Sequence, residues 1–132
     1  MAIAGGGTHS LALSRDGRVF SWGAMAQSTV PAALPPVVAL AAGDDFSVAL
    51  KNDGTVVAWG VNTNGQRTPP AGLANVVQIA CGGRHVLALR SNGTVVAWGD
   101  NGAGQSTVPA GLSDVVAVNA GGSFSLAVKR GG

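Results

Sequence analysis

The apolar positions of this chain fall into short runs with strand texture and lack the three-to-four spacing of an amphipathic helix. His85-Val86-Leu87-Ala88-Leu89 alternates a large face with a mostly small one, the period-two signature of a strand. An apolar run, Val76-Val77-Gln78-Ile79-Ala80, precedes it and breaks at the double glycine Gly82-Gly83. Behind it, Asn92-Gly93 predicts a two-residue hairpin turn of the kind that requires positive φ, and Thr94-Val95-Val96-Ala97-Trp98 supplies a third strand ending at Gly99. After a polar loop, Ser106-Thr107-Val108-Pro109 reads as a fourth strand, confined by its proline to a sheet edge, and Ala110-Gly111-Leu112 leads onward.

That block recurs along the chain. The stretch Ala80 to Leu89 has close variants at Ala4 to Leu13, Ala41 to Leu50 and Asn119 to Val128. The pairs Trp22-Gly23, Trp59-Gly60 and Trp98-Gly99 stand 37 and then 39 residues apart, and the turn glycines Gly17, Gly54 and Gly93 keep the same spacings. The two missing residues are lost from a loop: Gly23 to Gln27 encloses Ala24, Met25 and Ala26, whereas Val61 to Gly65 and Asp100 to Gly104 are longer. One domain, 1–132, therefore divides into units at 3–36, 37–75 and 76–114 and a half unit at 115–132. Four short antiparallel strands per unit of about 40 residues, apolar on both faces, describe a propeller blade packed between neighbours. A β-helix would have shorter coils, and a leucine-rich repeat would need its leucine and asparagine ladder.

The units resemble the repeats of the RCC1-like (regulator of chromosome condensation) β-propeller superfamily. The resemblance rests on the Gly-Gly-x-His-Ser-Leu-Ala-Leu string, the Asp-Gly-Thr-Val-Val-Ala-Trp-Gly hairpin, and Asn-x-x-Gly-Gln ahead of Thr-Val-Pro. The run Gln105 to Leu112 is similar to the bacterial form, which includes the β-lactamase-inhibitor propellers. The resemblance implies a seven-bladed ring and action through protein contacts, inhibition of β-lactamases and nucleotide exchange on a small GTPase among them. This chain is much shorter than such a ring. The fold class is thus all-β, an RCC1-like β-propeller fragment of about three and a half four-stranded blades, closing a ring by homo-oligomerisation. Residues 3–17 and 118–132 align turn for turn, so both ends supply the same half of a unit. The two end segments make a modified shared blade, or one is displaced, or the chain is a piece of a longer protein.

Composition narrows the function classes. Apolar residues make up 46% of the chain and charged ones 11%, enough to bury a core, and 21 glycines favour tight turns. The net charge is +2, and Arg15, Arg18, Lys51, Arg67, Arg84, Arg90, Lys129 and Arg130 are dispersed, which argues against a nucleic-acid stripe. No apolar run reaches the roughly 18 residues of a membrane span, and the first residues lack a signal peptide's pattern. The expectation is no nucleic acid, no membrane, and no assignable compartment.

Chemistry-bearing residues are few. His9 and His85 share a repeat position with Phe46 and Phe124, which marks that position for packing, and Cys81 aligns with Gly5, Ala42 and Ala120 as a small residue without a fixed base or acid. Trp22, Trp59 and Trp98 occur in every full unit before a glycine and fit blade cores better than a stacking platform. Asp16 and Asp53 belong to turns, and Asp44-Asp45 is the one local carboxylate pair. No cofactor, no metal site and no catalytic residue is assigned, and the chain is read as a non-enzyme.

Strand direction carries the functional expectation. With strands alternating up and down, the double-glycine loop and the loop after Trp-Gly emerge at one end of each blade. The Asp-Gly turns and Pro-Ala-Gly-Leu connections emerge at the other. The first end varies between units, presenting Thr8, Asp44, Asp45, Arg84 and Ser123 from one loop and Met25, Asn62, Asn64, Asp100 and Asn101 from the other. Repeat scaffolds place recognition on such loop-built faces. The expected function is a non-enzymatic protein-binding or scaffold module using these loops, with partners being a second copy of itself and another protein. The alternatives are a self-assembling half-propeller (dimer) with no ligand of its own, and a β-lactamase-inhibitor-like protein.

Overall fold

The computed structural model describes residues 1–23 and 29–131. It is all-β among those residues, with eleven strands in four antiparallel sheets. Blade 1 contains β1 (Ala2–Gly5), β2 (His9–Leu13) and β3 (Val19–Gly23); blade 2 contains β4 (Val37–Ala42), β5 (Phe46–Lys51) and β6 (Val56–Gly60). Blade 3 contains β7 (Val76–Cys81), β8 (His85–Arg90) and β9 (Val95–Gly99), and blade 4 contains β10 (Val115–Ala120) and β11 (Ser125–Lys129). The first strands β1, β4, β7 and β10 stand next to one another, so they form the inner edge of the array and the third strands its outer edge.

Cores lie between blades. At the first junction Leu11 and Leu13 pack with Val37, Ala49 and Trp59. At the second, Phe46, Val48 and Leu50 meet Val76, Val86, Ala88 and Trp98, and at the third Leu87 and Leu89 meet Val115 and Val118. The alternation in β8 explains this: Val86 and Ala88 face blade 2 while Leu87 and Leu89 face blade 4. A middle strand buried on both faces is apolar at every position, which is why β5 and β8 are buried along almost their whole length.

Two local expectations are modified. The hairpin loops hold three residues: Ser14 N–H donates to Arg18 C=O (2.9 Å) and Gly17 N–H to Ser14 C=O (3.1 Å), and blades 2 and 3 repeat this at Lys51 and Arg90. Only the glycine is left-handed, with φ of 85°, 82° and 82° at Gly17, Gly54 and Gly93. The residue before it stays right-handed because its side chain caps the turn: Thr55 N–H and Oγ1 both donate to Asp53 Oδ1 (3.0 and 2.6 Å), as Thr94 does to Asn92. Second, the Ser-Thr-Val-Pro segment joins no ladder. Thr107 is tied by its side chain to Asn101 and Pro109 has no N–H to give, so each complete sheet has three strands.

Candidate functional site

The two loops expected to share one end of each blade do share it. Val61 N–H donates to Asp45 C=O (2.8 Å), and Asp100 N–H donates to Arg84 C=O (2.9 Å), so the loop after Trp-Gly starts against the double-glycine loop. Successive double-glycine loops are linked in turn. Gly7 N–H reaches Gly43 C=O and Asp44 C=O (3.3 and 3.2 Å), Asp44 N–H reaches Gly83 C=O (2.9 Å), and Gly83 N–H reaches Gly122 C=O (3.1 Å). The result is a continuous backbone rim at the inner edge, on which Thr8, Asp44, Arg84 and Ser123 are exposed and Asp45 is half-buried.

The first glycine of each pair makes this rim possible. A Cβ at Gly82 would stand 2.1 Å from the His85 ring and 2.2 Å from Gly121 C=O, and one at Gly43 would stand 2.1 Å from the Phe46 ring. The ring at the start of the second strand therefore lies on the bare backbone of its own loop, and imidazole and phenyl serve equally.

The second loop is more constrained than its variability suggests. Asn62 Oδ1 accepts from Arg67 N–H (2.8 Å) and its amide donates to Thr68 Oγ1 (3.2 Å); Asn101 repeats both bonds with Ser106 N–H (2.9 Å) and Thr107 Oγ1 (2.8 Å). Asp100 accepts from Gly102 N–H (3.1 Å) and Gln105 Nε2 (3.0 Å). Asn64 Oδ1 accepts from Thr63 Oγ1 (3.2 Å), and its own N–H donates to the buried Gln66 side chain (2.8 Å). These side chains fold their own loops, and Met25 lies outside the described residues.

The histidines are buried between blades. His9 Nε2 lies 2.8 Å from Ser47 Oγ, and His85 Nε2 lies 2.9 Å from Ser125 Oγ. Ser125 donates its hydroxyl hydrogen to Gln105 C=O (2.7 Å), so the imidazole nitrogen is the donor toward Ser125 and cannot act as its base. Desolvation holds both histidines below the usual imidazole range; Asp45 and the Phe46 backbone oppose it at His9, and the Phe124 backbone and Asp100 at His85. Burial pushes the Cys81 thiol well above the ordinary range, which keeps it protonated. No group of metal-ligating side chains occurs among the described residues, and no helix there is long and apolar enough to cross a membrane.

Sequence reasoning missed the serine partners. The position after the ring column reads Ser10, Ser47, Val86 and Ser125. Serine follows a histidine of the preceding blade, whereas Val86 follows Phe46. That correlation between units was the available signal.

With four such blades in place, the chain can be set beside known proteins. It belongs to the regulator of chromosome condensation (RCC1) repeat family, whose repeat matches residues 2–27, 37–66 and 76–105. No curated protein sequence gives a significant match. Among solved structures it is similar to yeast RCC1 (Prp20) from its complex with Kap60, at 28% identity and a TM-score of 0.82 over 99% of this chain and 41% of that one. It is also similar to the ectodomain of the Physcomitrella patens receptor kinase CR4, at 26% identity and a TM-score of 0.81 over 98% and 38%. Human WBSCR16 shares the fold at 21% identity and a TM-score of 0.77 over 98% and 45%. The chain thus spans about two fifths of the length of the first two.

Proposed function

We propose that this chain is a non-enzymatic protein-binding module whose recognition surface is the double-glycine end of the blades. The observation that carries the reading is the rim: hydrogen-bonded backbone fixes four loops side by side, and unlike side chains, Thr8, Asp44, Arg84 and Ser123, are exposed on that fixed support. A preorganised backbone spends little ordering entropy on binding. Both an acid and a guanidinium are available, and arginine is among the residues that dominate interfaces. Yeast RCC1, bound to Kap60 in its solved structure, is a precedent for protein contact within the family. The opposite end repeats the same three-residue backbone turn in each full blade and carries the Arg18–Asp16 ion pair (3.2 Å) on exposed side chains.

The test is affinity capture with the immobilised chain, comparing the wild type with Asp45→Ala, Arg84→Ala and Arg18→Ala. Proteins retained by the wild type and by Arg18→Ala but lost by either rim variant support the reading. Equal effects of all three substitutions defeat it.

A second reading, self-association, is favoured by the two outer faces of the array. Ile3, Phe20 and Trp22 are 86%, 54% and 55% exposed on blade 1, and Phe124, Leu126 and Val128 are 55%, 56% and 51% exposed on blade 4. Clusters of exposed apolar side chains of this kind favour contact with another surface. Light scattering in dilute solution decides it, and a monomeric mass rejects it.

A further inference from the structure

The basic residues are scattered along the sequence, yet the fold gathers six of the eight at the hairpin-turn end of the blades. The middle strands of blades 2, 3 and 4 finish there on Lys51, Arg90 and Lys129, where blade 1 has Ser14. At the next position blades 1 and 4 carry Arg15 and Arg130, where blade 2 has Asn52, and Arg18 closes the hairpin of blade 1. Three of the six acids, Asp16, Asp53 and Asp114, share this end, so it carries a net charge of +3 and the rest of the chain −1. Among the described residues only Arg18 of these six cations is in an ion pair, with Asp16. The carboxylates of Asp16 and Asp53 are turned back onto their own hairpins by Ser14 and Thr55.

This end is a fixed surface. Val37 N–H donates to Gly17 C=O (3.2 Å) and Asn52 N–H to Pro36 C=O (3.0 Å), which ties the first hairpin to the connection entering blade 2 and that connection to the second hairpin. Val76 and Ser91 repeat the two bonds on Gly54 and Asn75 (3.0 and 2.8 Å), and Val115 and Arg130 repeat them on Gly93 and Asp114 (3.0 and 2.8 Å). The same pair of bonds at every junction sets the turn ends at one level. Arg15, Arg18, Lys129 and Arg130 are exposed there, and Lys51 and Arg90 are half-buried.

We propose that the turn end is a docking face for an anionic lipid surface, on which the chain lies with its double-glycine rim directed away from the bilayer. The cations do not form a row. They occupy strand ends and hairpins across four blades that stack about 10 Å apart, so a plane of headgroups meets all six, whereas a cylindrical duplex touches a level face along one line. Adsorption of this kind needs no spanning segment. It is reversible and weakens with salt, because each cation contributes only while it stands within a screening length of the headgroups.

The probe is a sucrose-loaded vesicle of three parts phosphatidylcholine to one part phosphatidylglycerol, sedimented with the full chain beside vesicles of phosphatidylcholine alone. Binding to the charged vesicles only is expected, and it is lost when salt is raised to about 0.5 M. The repeat supplies substitutions suited to the fold: Arg15→Asn, Lys51→Ser and Arg130→Asn each install the residue that another blade has at that position. Together they should weaken binding about a hundredfold, about fivefold for each charge. Arg67→Ser removes a charge bonded to Gly60 C=O at the other end, again with a sibling's residue, and should leave binding unchanged. On the unmodified chain, a spin-labelled lipid should broaden the amide resonances of Asn52 and Ser91 and spare those of Thr8 and Ser123. No binding, indifference to the triple substitution, an equal loss per charge with Arg67→Ser, or broadening at the rim would each overturn the proposal. Displacement from the vesicles by a DNA duplex at equal phosphate concentration would make nucleic acid the ligand of this face and overturn it as well.

Discussion

Trp98 and Trp22 occupy the same place in their repeat units and stand in opposite environments, so one substitution made at each gives a controlled test of how the junctions are held. Trp98 is 7% exposed and bonded to Gln66 C=O; Trp22 is 55% exposed, because no described blade precedes blade 1. Replacing Trp98 with Phe removes a hydrogen bond of about 1 kcal/mol net and strands a carbonyl of the buried Gln66 for about 1 kcal/mol more. The smaller ring adds about 0.5–1 kcal/mol for the space it leaves. The expected loss is about 2.5–3 kcal/mol, against no more than about 0.5 kcal/mol for Trp22→Phe. Guanidinium unfolding followed by far-UV circular dichroism, at a protein concentration low enough to exclude association, measures both. Equal losses at the two sites would refute the junction as the source of stability.

Other outcomes follow from the same structure. Because burial lowers the pKa of His9 and His85 in the folded chain, the unfolded chain binds more protons below about pH 6.5. Stability is therefore full above that pH and falls as the pH drops through it toward the folded values, with a limiting slope of about 2.7 kcal/mol per pH unit for two histidines; denaturation midpoints between pH 7 and 5 should flatten in a His9→Phe/His85→Phe variant. Gly82→Ala drives a methyl into the His85 ring and Gly121 C=O and should cost about 1–3 kcal/mol by thermal or chemical unfolding. Gly102→Ala, whose Cβ meets only Asp100 Oδ1 at 3.5 Å, should be neutral or stabilising by about 0.5 kcal/mol. Ala33 is left-handed at φ 60° where its counterparts Gly72 and Gly111 adopt 76° and 75°, so Ala33→Gly should stabilise by about 0.5 kcal/mol, the relieved strain exceeding the entropy glycine adds to the unfolded chain.

The blade architecture was legible because it repeats. Period-two alternation in Phe46 to Leu50 and His85 to Leu89, invariant tryptophans and fixed turn glycines each report a local requirement that recurs in unit after unit. The packing role of His9 and His85 was readable from the phenylalanines that replace them, and so was the shared end of the two loops, from strand direction alone. The loop length of the hairpins was not, because Asp-Gly suits both a two-residue turn and a three-residue loop. The Asp53–Thr55 cap that selects the latter depends on side-chain geometry. The fourth segment carries strand-like residues but spends its polar groups on Asn101, a contact spanning six residues that no periodicity reveals.

The most direct test of the rim as the recognition surface is site-specific photocrosslinking. A benzoylphenylalanine in place of Arg84 should yield a covalent adduct with a second protein in lysate of the source cells, and the same group in place of Arg18 at the opposite end should yield none. Adducts at position 18 alone, or equally at both, would contradict the assignment.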